Sequence, residues 1–267
     1  MIPKIIHYCW LSKDPLPIEA QECIKSWKRH MPDWKLKLWN MDSFDIHSVP
    51  FVEEAVSVRK WAFAADYIRT YALYTEGGVY LDSDVVVRRN LDFVLKNKAF
   101  SAIEYIPNSM DNSEEVVAEM LNLSGQVDMV PGVQIQAAII GGEKGHPFFK
   151  ECLDYYDKAH FLDPDGVILP SVRISPIVFA EKALKYGFIL QDKEQLLEED
   201  FMIYPSDLFC SQPYLMKDNA VAVHCCNGSW RHSQTHVQRI VNRLKTFIKT
   251  VLYDTGIKKG TLIDKIN

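Results

Sequence analysis

No C-x-x-C pair occurs in these 267 residues, so neither a zinc ribbon nor a thiol redox motif has an anchor. The six cysteines stand at positions 9, 23, 152, 210, 225 and 226, one vicinal pair and four scattered residues, which is not the spacing of a disulfide scaffold. Internal repeats and low-complexity linkers are absent too. The opening stretch MIPKIIHYCWLSKDP has an apolar run too short, and too soon broken by charge, for a signal peptide or a membrane span. A reducing, cytoplasmic setting is the expectation. Excess positive charge is also missing: a formal net charge of -5 and a pI near 5.9 argue against a nucleic-acid partner. What is present is a packed-core composition, 48% hydrophobic and 12% aromatic. The length suits one large domain or two small ones.

Lys4 to Trp10 reads as a short buried strand, closed by LSKDPLP, where Pro15 and Pro17 stop strand and helix alike. Ile18 to His30 follows as a helix, with Ile24 and Trp27 on one side and Lys25, Lys28 and Arg29 on the other. WKLKLWN alternates apolar and basic residues and predicts a second strand, so the order suggests a βαβ unit with a parallel sheet. In SVRKWAFAADYIRTYALYTEGG, residues Trp61, Ala65, Ile68, Ala72 and Leu73 recur at helical spacing, and Gly77 and Gly78 stand where a helix stops.

The next stretch, GGVYLDSDVVV, places two carboxylates inside an apolar, β-branched run. On a continuous strand Asp82 and Asp84 project from one face near the carboxyl end, the edge where open α/β sheets bind ligands. Two ionised carboxylates side by side in a partly dry site repel each other, and a divalent cation, Mg²⁺ or Mn²⁺, is the simplest remedy. The plain alternative is a solvated strand end or turn. Asp66 and Arg69 share one face of the preceding helix, three residues apart. They are either a weak surface pair or, given Ala62, Phe63, Ala64, Ala65 and Ile68 around them, buried charges kept for a partner. In the second case Arg69 suits a metal-bound diphosphate and Asp66 a sugar hydroxyl.

The runs HYCW, WAFAADYIRTYALYTEGGVYLDSD, GGEKGHP and HCCNGSW closely resemble glycosyltransferase family 32, sugar transferases with a D-x-D motif. Bacterial capsule and polysaccharide transferases belong there, and clostridial glucosylating toxins and yeast-type mannosyltransferases are related. The resemblance spans residues 2 to about 230 and implies a GT-A fold: α/β, a mainly parallel central sheet flanked by helices, with a Rossmann-like nucleotide-binding half. It further implies that Trp10 stacks on the nucleotide base, that Asp66 and Arg69 contact donor hydroxyls and phosphate, and that Asp82 lies toward ribose and donor sugar. Asp84 would hold the metal, with Tyr80 beside the motif. From HCCNGSW it implies His224 as a metal ligand and Trp230 as a contact to the leaving diphosphate, with Asn227 and Ser229 secondary. Set among Val221, Val223 and two cysteines, His224 has an ordinary buried reading as well.

Within VPGVQIQAAIIGGEKGHPFF a strand enters a Gly-rich turn and then a helix near His146 and Pro147. Gln134 and Gln136 alternate with apolar residues, so they face either the cleft or the solvent side of an edge strand; Gln136 is a candidate donor contact. Helical patterning recurs at Phe148 to Tyr156 and Pro176 to Lys185, and QDKEQLLEED reads as a solvated turn or helix face. Residues 1–236 form the expected catalytic domain. Residues 237–267 follow as a basic amphipathic helix and tail that either packs on the sheet or lies on a membrane surface.

The implied activity is a retaining, metal-dependent transfer of a hexose from a UDP- or GDP-sugar to a glycan or lipid-linked acceptor, as in polysaccharide synthesis. Two other classes compete. A Mg²⁺-dependent phosphohydrolase of the haloacid dehalogenase kind also uses D-x-D, but Val86 occupies its threonine position. A carbohydrate-binding protein without turnover is the third.

Overall fold

The computed structural model describes residues 1–105, 133–211, 213 and 216–225. The first strand, β1 (Ile5–Cys9), leads through α1 (Ile18–His30) to β2 (Lys35–Trp39), which lies parallel to β1. The βαβ unit is therefore as the pattern predicts. Glu19 in the first turn of α1 and Lys28, Arg29 and His30 in its last oppose the helix dipole favourably. Trp27 is wholly buried, its indole N–H donating to the Val85 carbonyl at 2.7 Å.

Two further helices, α2 (Pro50–Ser57) and α3 (Trp61–Glu76), precede β3 (Gly78–Leu81) and β4 (Val85–Val87). After β5 (Ala99–Tyr105) come β6 (Val133–Ile135), β7 (Ile139–Gly142), α4 (Pro147–Tyr156) and α5 (Ser175–Ala183). β8 (Gln195–Leu197), β9 (Phe201–Tyr204), β10 (Phe209–Cys210) and β11 (Ala222–His224) complete the described elements. The main sheet runs β2-β1-β3-β7-β5-β9-β8, with β6 paired to β5. β2, β1, β3, β5 and β9 point one way; β7 inserts antiparallel between β3 and β5, and β6 and β8 also run against the majority. A smaller sheet, β10-β11-β4, leans on the first. Helices cover both faces. On one, α3 contributes Ala64, Ile68 and Leu73 to a core with Tyr80, Ile140 and Phe148; on the other, α1 packs Trp27 with Val79, Leu81, Phe100 and Ile139.

Two expectations need correction. The run 77–87 is not one strand: it breaks after Leu81 and resumes at Val85, so the carboxylates stand on a turn between two sheets. QDKEQLLEED is not wholly a solvated turn or helix face either. It holds β8, where Gln195 and Leu197 are buried against β9. The boundary at 236 and the helix expected over 237–267 lie outside the described residues; among those described, no helix is long and apolar enough to cross a membrane.

The corner before β3 depends on His7. Its ring accepts the Trp39 indole N–H on Nδ1 at 3.0 Å, which leaves Nε2–H to donate to the Gly77 carbonyl at 2.8 Å. Gly77 ends α3 at φ +70, and a Cβ on Gly78, at φ +118, would sit 2.7 Å from the Ile5 carbonyl oxygen. Only glycine fits there. Burial holds the His7 imidazole below its ordinary value of 6.5. The unfolded chain therefore takes up a proton near pH 6.5 that the folded chain refuses, and this contribution to stability is present above pH 6.5 and lost as pH falls below it. Histidine NMR is expected to show the His7 ring neutral through pH 6.5, whereas exposed His47, paired with Glu53 and shifted upward, is already charged. A His7 titration at or above 6.5 would contradict this packing.

Candidate metal and sugar-nucleotide site

Three connections fix the turn that carries the two aspartates. The Val85 N–H donates to the Asp82 carbonyl at 3.0 Å, the Asp82 N–H to Ala138 at 2.9 Å, and the Cys225 N–H to the Asp84 carbonyl at 2.9 Å. The antiparallel ladder of β4 with β11 sets His224 opposite Val85, hence next to Asp84. Arg88 and Arg89 tie down the approach to β11 by donating to the Ala220 and Asp218 carbonyls.

As a result the ligand atoms of Asp82, Asp84 and His224 all lie within 4.8 Å of one another, with His224 Nε2 3.3 Å from Asp84 Oδ1. Two carboxylate oxygens and an imidazole nitrogen, all partly exposed, are a donor set that suits Mn²⁺ or Mg²⁺. The structure brings together the three residues expected from the sequence as metal ligands.

Asp66 and Arg69 are buried, at 6% and 4% exposure, which rules out the weak surface pair. The Arg69 guanidinium reaches Asp66 Oδ1 at 2.9 Å and Asp82 Oδ1 at 3.4 Å through Nη2, and donates to the Ala137 carbonyl at 2.7 Å through Nη1. It also lies over the Tyr80 ring, 4.7 Å from its centre. The Tyr80 hydroxyl donates to Asp82 Oδ1 at 3.0 Å, and the Ser175 N–H donates to Asp66 Oδ2 at 3.2 Å. Burial raises the Asp66 carboxyl, with Arg69 and Ser175 pulling against the rise. Asp82, Tyr80 and Asp66 hold Arg69 charged despite its burial. The cation thus fixes one aspartate of the motif to α3 and to the backbone of residue 137.

Trp10 sits one residue past β1, at the same sheet edge as the turn, with its indole N–H donating to the Asp14 carbonyl at 2.7 Å. Gln134 and Gln136 are buried, at 5% and 1%, so the solvent-facing reading of that strand fails. Asn227, Ser229 and Trp230 lie outside the described residues. Sequence reasoning missed Glu104, a carboxylate raised by burial and, among charges, affected most by His224 and then Asp82. Its signal was available: it is the sole charge in AFSAIEY. Also missed was Cys9, a buried thiol hydrogen-bonded to Tyr80 and pushed up to about 12 by burial. A cavity of about 650 Å³ lined by Phe51, Tyr155, Lys158, Arg173 and Lys185 includes none of the site residues.

Residues 17–101 match the family model described as a glycosyltransferase sugar-binding region containing a DXD motif. A glycosyltransferase of Acanthamoeba polyphaga mimivirus is 24% identical over 239 residues, covering 86% of this chain and 84% of that one. Inositol phosphoceramide mannosyltransferase 3 of Schizosaccharomyces pombe is 35% identical over 103 residues, which is 37% of this chain but only 29% of the yeast protein. Among solved structures, the PaToxG glycosyltransferase aligns at a TM-score of 0.46 with 16% identity over 69% of each chain. The family match falls on α1 through β5, and it includes Asp66, Arg69, Asp82 and Asp84.

Because Arg69 is a planar fork serving Asp66, Asp82 and the carbonyls of Ala137 and Ala65, a lysine at this position would meet fewer of them. Arg69→Lys is expected to lower the unfolding free energy by about 1–3 kcal/mol, the range for stranding a buried hydrogen-bonding group. Urea denaturation measures it, and unchanged stability would contradict the clamp.

Proposed function

We propose that this chain, a DXD-containing glycosyltransferase by its family match, transfers a hexose from a nucleoside-diphosphate sugar to a hydroxyl of a glycan or lipid-linked saccharide, with retention at the anomeric carbon. The observation that carries the reading is the convergence of Asp82, Asp84 and His224 on a matched DXD turn. These three would hold Mn²⁺ or Mg²⁺, and the bound cation would supply positive charge to a diphosphate leaving group.

The remaining chemistry belongs to side chains. Cleaving the bond from sugar to diphosphate builds positive charge on the ring, which the carboxylates of Asp82 and Asp66 favour electrostatically. Arg69 keeps both carboxylates at fixed distances, so little reorganisation is needed as charge develops. Trp10 offers an aromatic face to the base, a contact that tolerates either UDP or GDP. We assign a front-face substitution: the acceptor oxygen bonds to the anomeric carbon on the side the diphosphate leaves, and the acceptor proton passes to the departing diphosphate. A UDP-sugar donor and a role in polysaccharide synthesis follow from the resemblance of HYCW, the D-S-D block and HCCNGSW to family 32. The basic helix expected over 237–267 would favour an acceptor carried on a membrane surface.

Asp84→Asn tests the reading. Its circular dichroism should match the parent, while Mn²⁺-dependent release of UDP or GDP from the sugar nucleotide falls by about 10²–10³, the scale of losing a principal electrostatic contact to the transition state. Parental rates in that variant would contradict the assignment.

A further inference from the structure

The cavity of about 650 Å³ lies between α4, α5 and the segment joining them, with Phe51 of α2 in its wall. The strip that borders it changes allegiance within two residues: Arg173 lines the cavity, whereas the Ser175 N–H serves Asp66 Oδ2 at 3.2 Å. The cavity and the DXD turn are therefore neighbours that share no side chain.

Charge in the cavity walls is unevenly matched. Glu181 meets two cations, Arg173 and Lys182, the second at 3.2 Å. Glu151 meets Lys185 at 2.8 Å and also accepts the Tyr186 O–H at 3.0 Å. Asp154 is paired from outside the cavity by Lys150, whose hydrogen bond holds that carboxyl below the usual range. Lys158 is exposed on the cavity wall and forms no ion pair among the described residues. Three carboxylates thus face five cations. Glu54, which meets the His160 ring at the rim, does not redress the balance: its Oε2 already accepts the Phe161 and Leu162 N–H groups at 2.6 and 3.0 Å.

The surplus selects the charge of a ligand. A metal ion is excluded, because each acid is already paired, and among the described residues the group arranged to hold one is Asp82, Asp84 and His224. A neutral sugar would leave the surplus uncompensated. A phosphate monoester brings close to two negative charges near pH 7 and three acceptor oxygens, which suit an arginine fork flanked by lysines. The volume falls in the range of about 300–1,000 Å³ that holds small organic molecules, well beyond a bare phosphate ion. Tyr155 gives the organic part a surface to lie on, and three of the cations gather around it. Lys182 lies 5.6 Å from its ring centre, Arg173 accepts its hydroxyl through the backbone, and Lys158 follows one turn later.

We propose that the α4–α5 cavity binds an organic phosphate monoester, its phosphate held by Lys158, Arg173 and Lys182 and its body against Tyr155. The inference stands apart from the glycosyltransferase reading. The monoester belongs to a soluble sugar phosphate or to a lipid headgroup, and the two give different signatures.

The test uses the full chain in EDTA at low ionic strength and about pH 7.5, where the monoester is a dianion. Calorimetry measures binding of glucose 6-phosphate, with glucose as the control; sedimentation measures binding to phosphatidylcholine vesicles with and without phosphatidic acid. A soluble ligand gives one-to-one binding of glucose 6-phosphate and none of glucose. A lipid ligand gives sedimentation that requires phosphatidic acid, with no saturable binding of glucose 6-phosphate. Lys158→Glu, at an exposed residue without an ion pair, should melt with the parent and weaken the observed binding at least about tenfold, the scale of one charge-assisted hydrogen bond. Glu181→Gln removes the carboxylate that competes for Arg173 and Lys182 and should tighten binding, a sign that purely structural ion pairs would not give. Adding UDP with Mn²⁺ should leave affinity within twofold. The proposal is overturned if neither probe binds, if glucose binds as well as its phosphate, or if UDP with Mn²⁺ displaces the ligand. It is overturned equally if Lys158→Glu binds within twofold of the parent, or if Glu181→Gln fails to tighten binding.

Discussion

The site depends on one buried guanidinium. Arg69 sits between Asp66 and Asp82, 2.9 and 3.4 Å from their Oδ1 atoms, at 4% exposure. Without that charge, two carboxylates in a dry corner would each resist ionisation. With it, Asp82 is held in place and Asp84 is left to face His224. The arrangement divides labour between two charges: a permanent one inside the protein orients the first aspartate, and the second aspartate, with an imidazole, is left for a cation from outside. Buried ion pairs are poor sources of stability but exact a large penalty when one partner is removed. That asymmetry suits a site whose geometry must survive the loading and loss of its ligands.

Topology brings these groups together from distant parts of the chain. β3 ends at Leu81 in the main sheet, and β4 restarts at Val85 in the smaller one, so the turn between them is a bridge from one sheet to the other. Because β11 pairs with β4, a histidine 140 residues further along returns to the same turn. The antiparallel insertion of β7 also places the segment before it against the site, where the carbonyls of Ala137 and Ala138 receive Arg69 and the Asp82 N–H. Upstream, the Gly77–Gly78 corner fixed by His7 sets where β3 begins. Local rigidity around the motif is thus assembled from non-local contacts.

Much of this was legible beforehand, for physical reasons. α1 was readable at both ends because Pro17 precedes it and apolar Ile24 and Trp27 mark a single buried stripe. α3 was readable because Trp61, Ala65, Ile68, Ala72 and Leu73 recur at helical spacing and glycine ends it. The break at Asp82 was not, since a β-branched run on either side of D-S-D looks like one strand; only the partner strands, β7 on one side and β11 on the other, show that two sheets share it. Burial of Asp66 and Arg69 was inferred from their apolar neighbours, but the distant partners of Arg69 were hidden, because Asp82 comes from the turn after β3 and the Ala137 carbonyl from the segment before β7. Glu104 drew no reading from the sequence; the structure shows its Oε2 buried with no hydrogen-bond partner among the described residues.

The central claim is that Asp82, Asp84 and His224 hold a cation bearing a nucleoside diphosphate. Crystals grown with Mn²⁺ and UDP or GDP, measured at a wavelength where manganese scatters anomalously, address it directly. One strong anomalous peak bonded to all three side chains and to diphosphate oxygens is the predicted result. A peak elsewhere on the chain, with the Asp82–Asp84 turn left to water, would contradict the account.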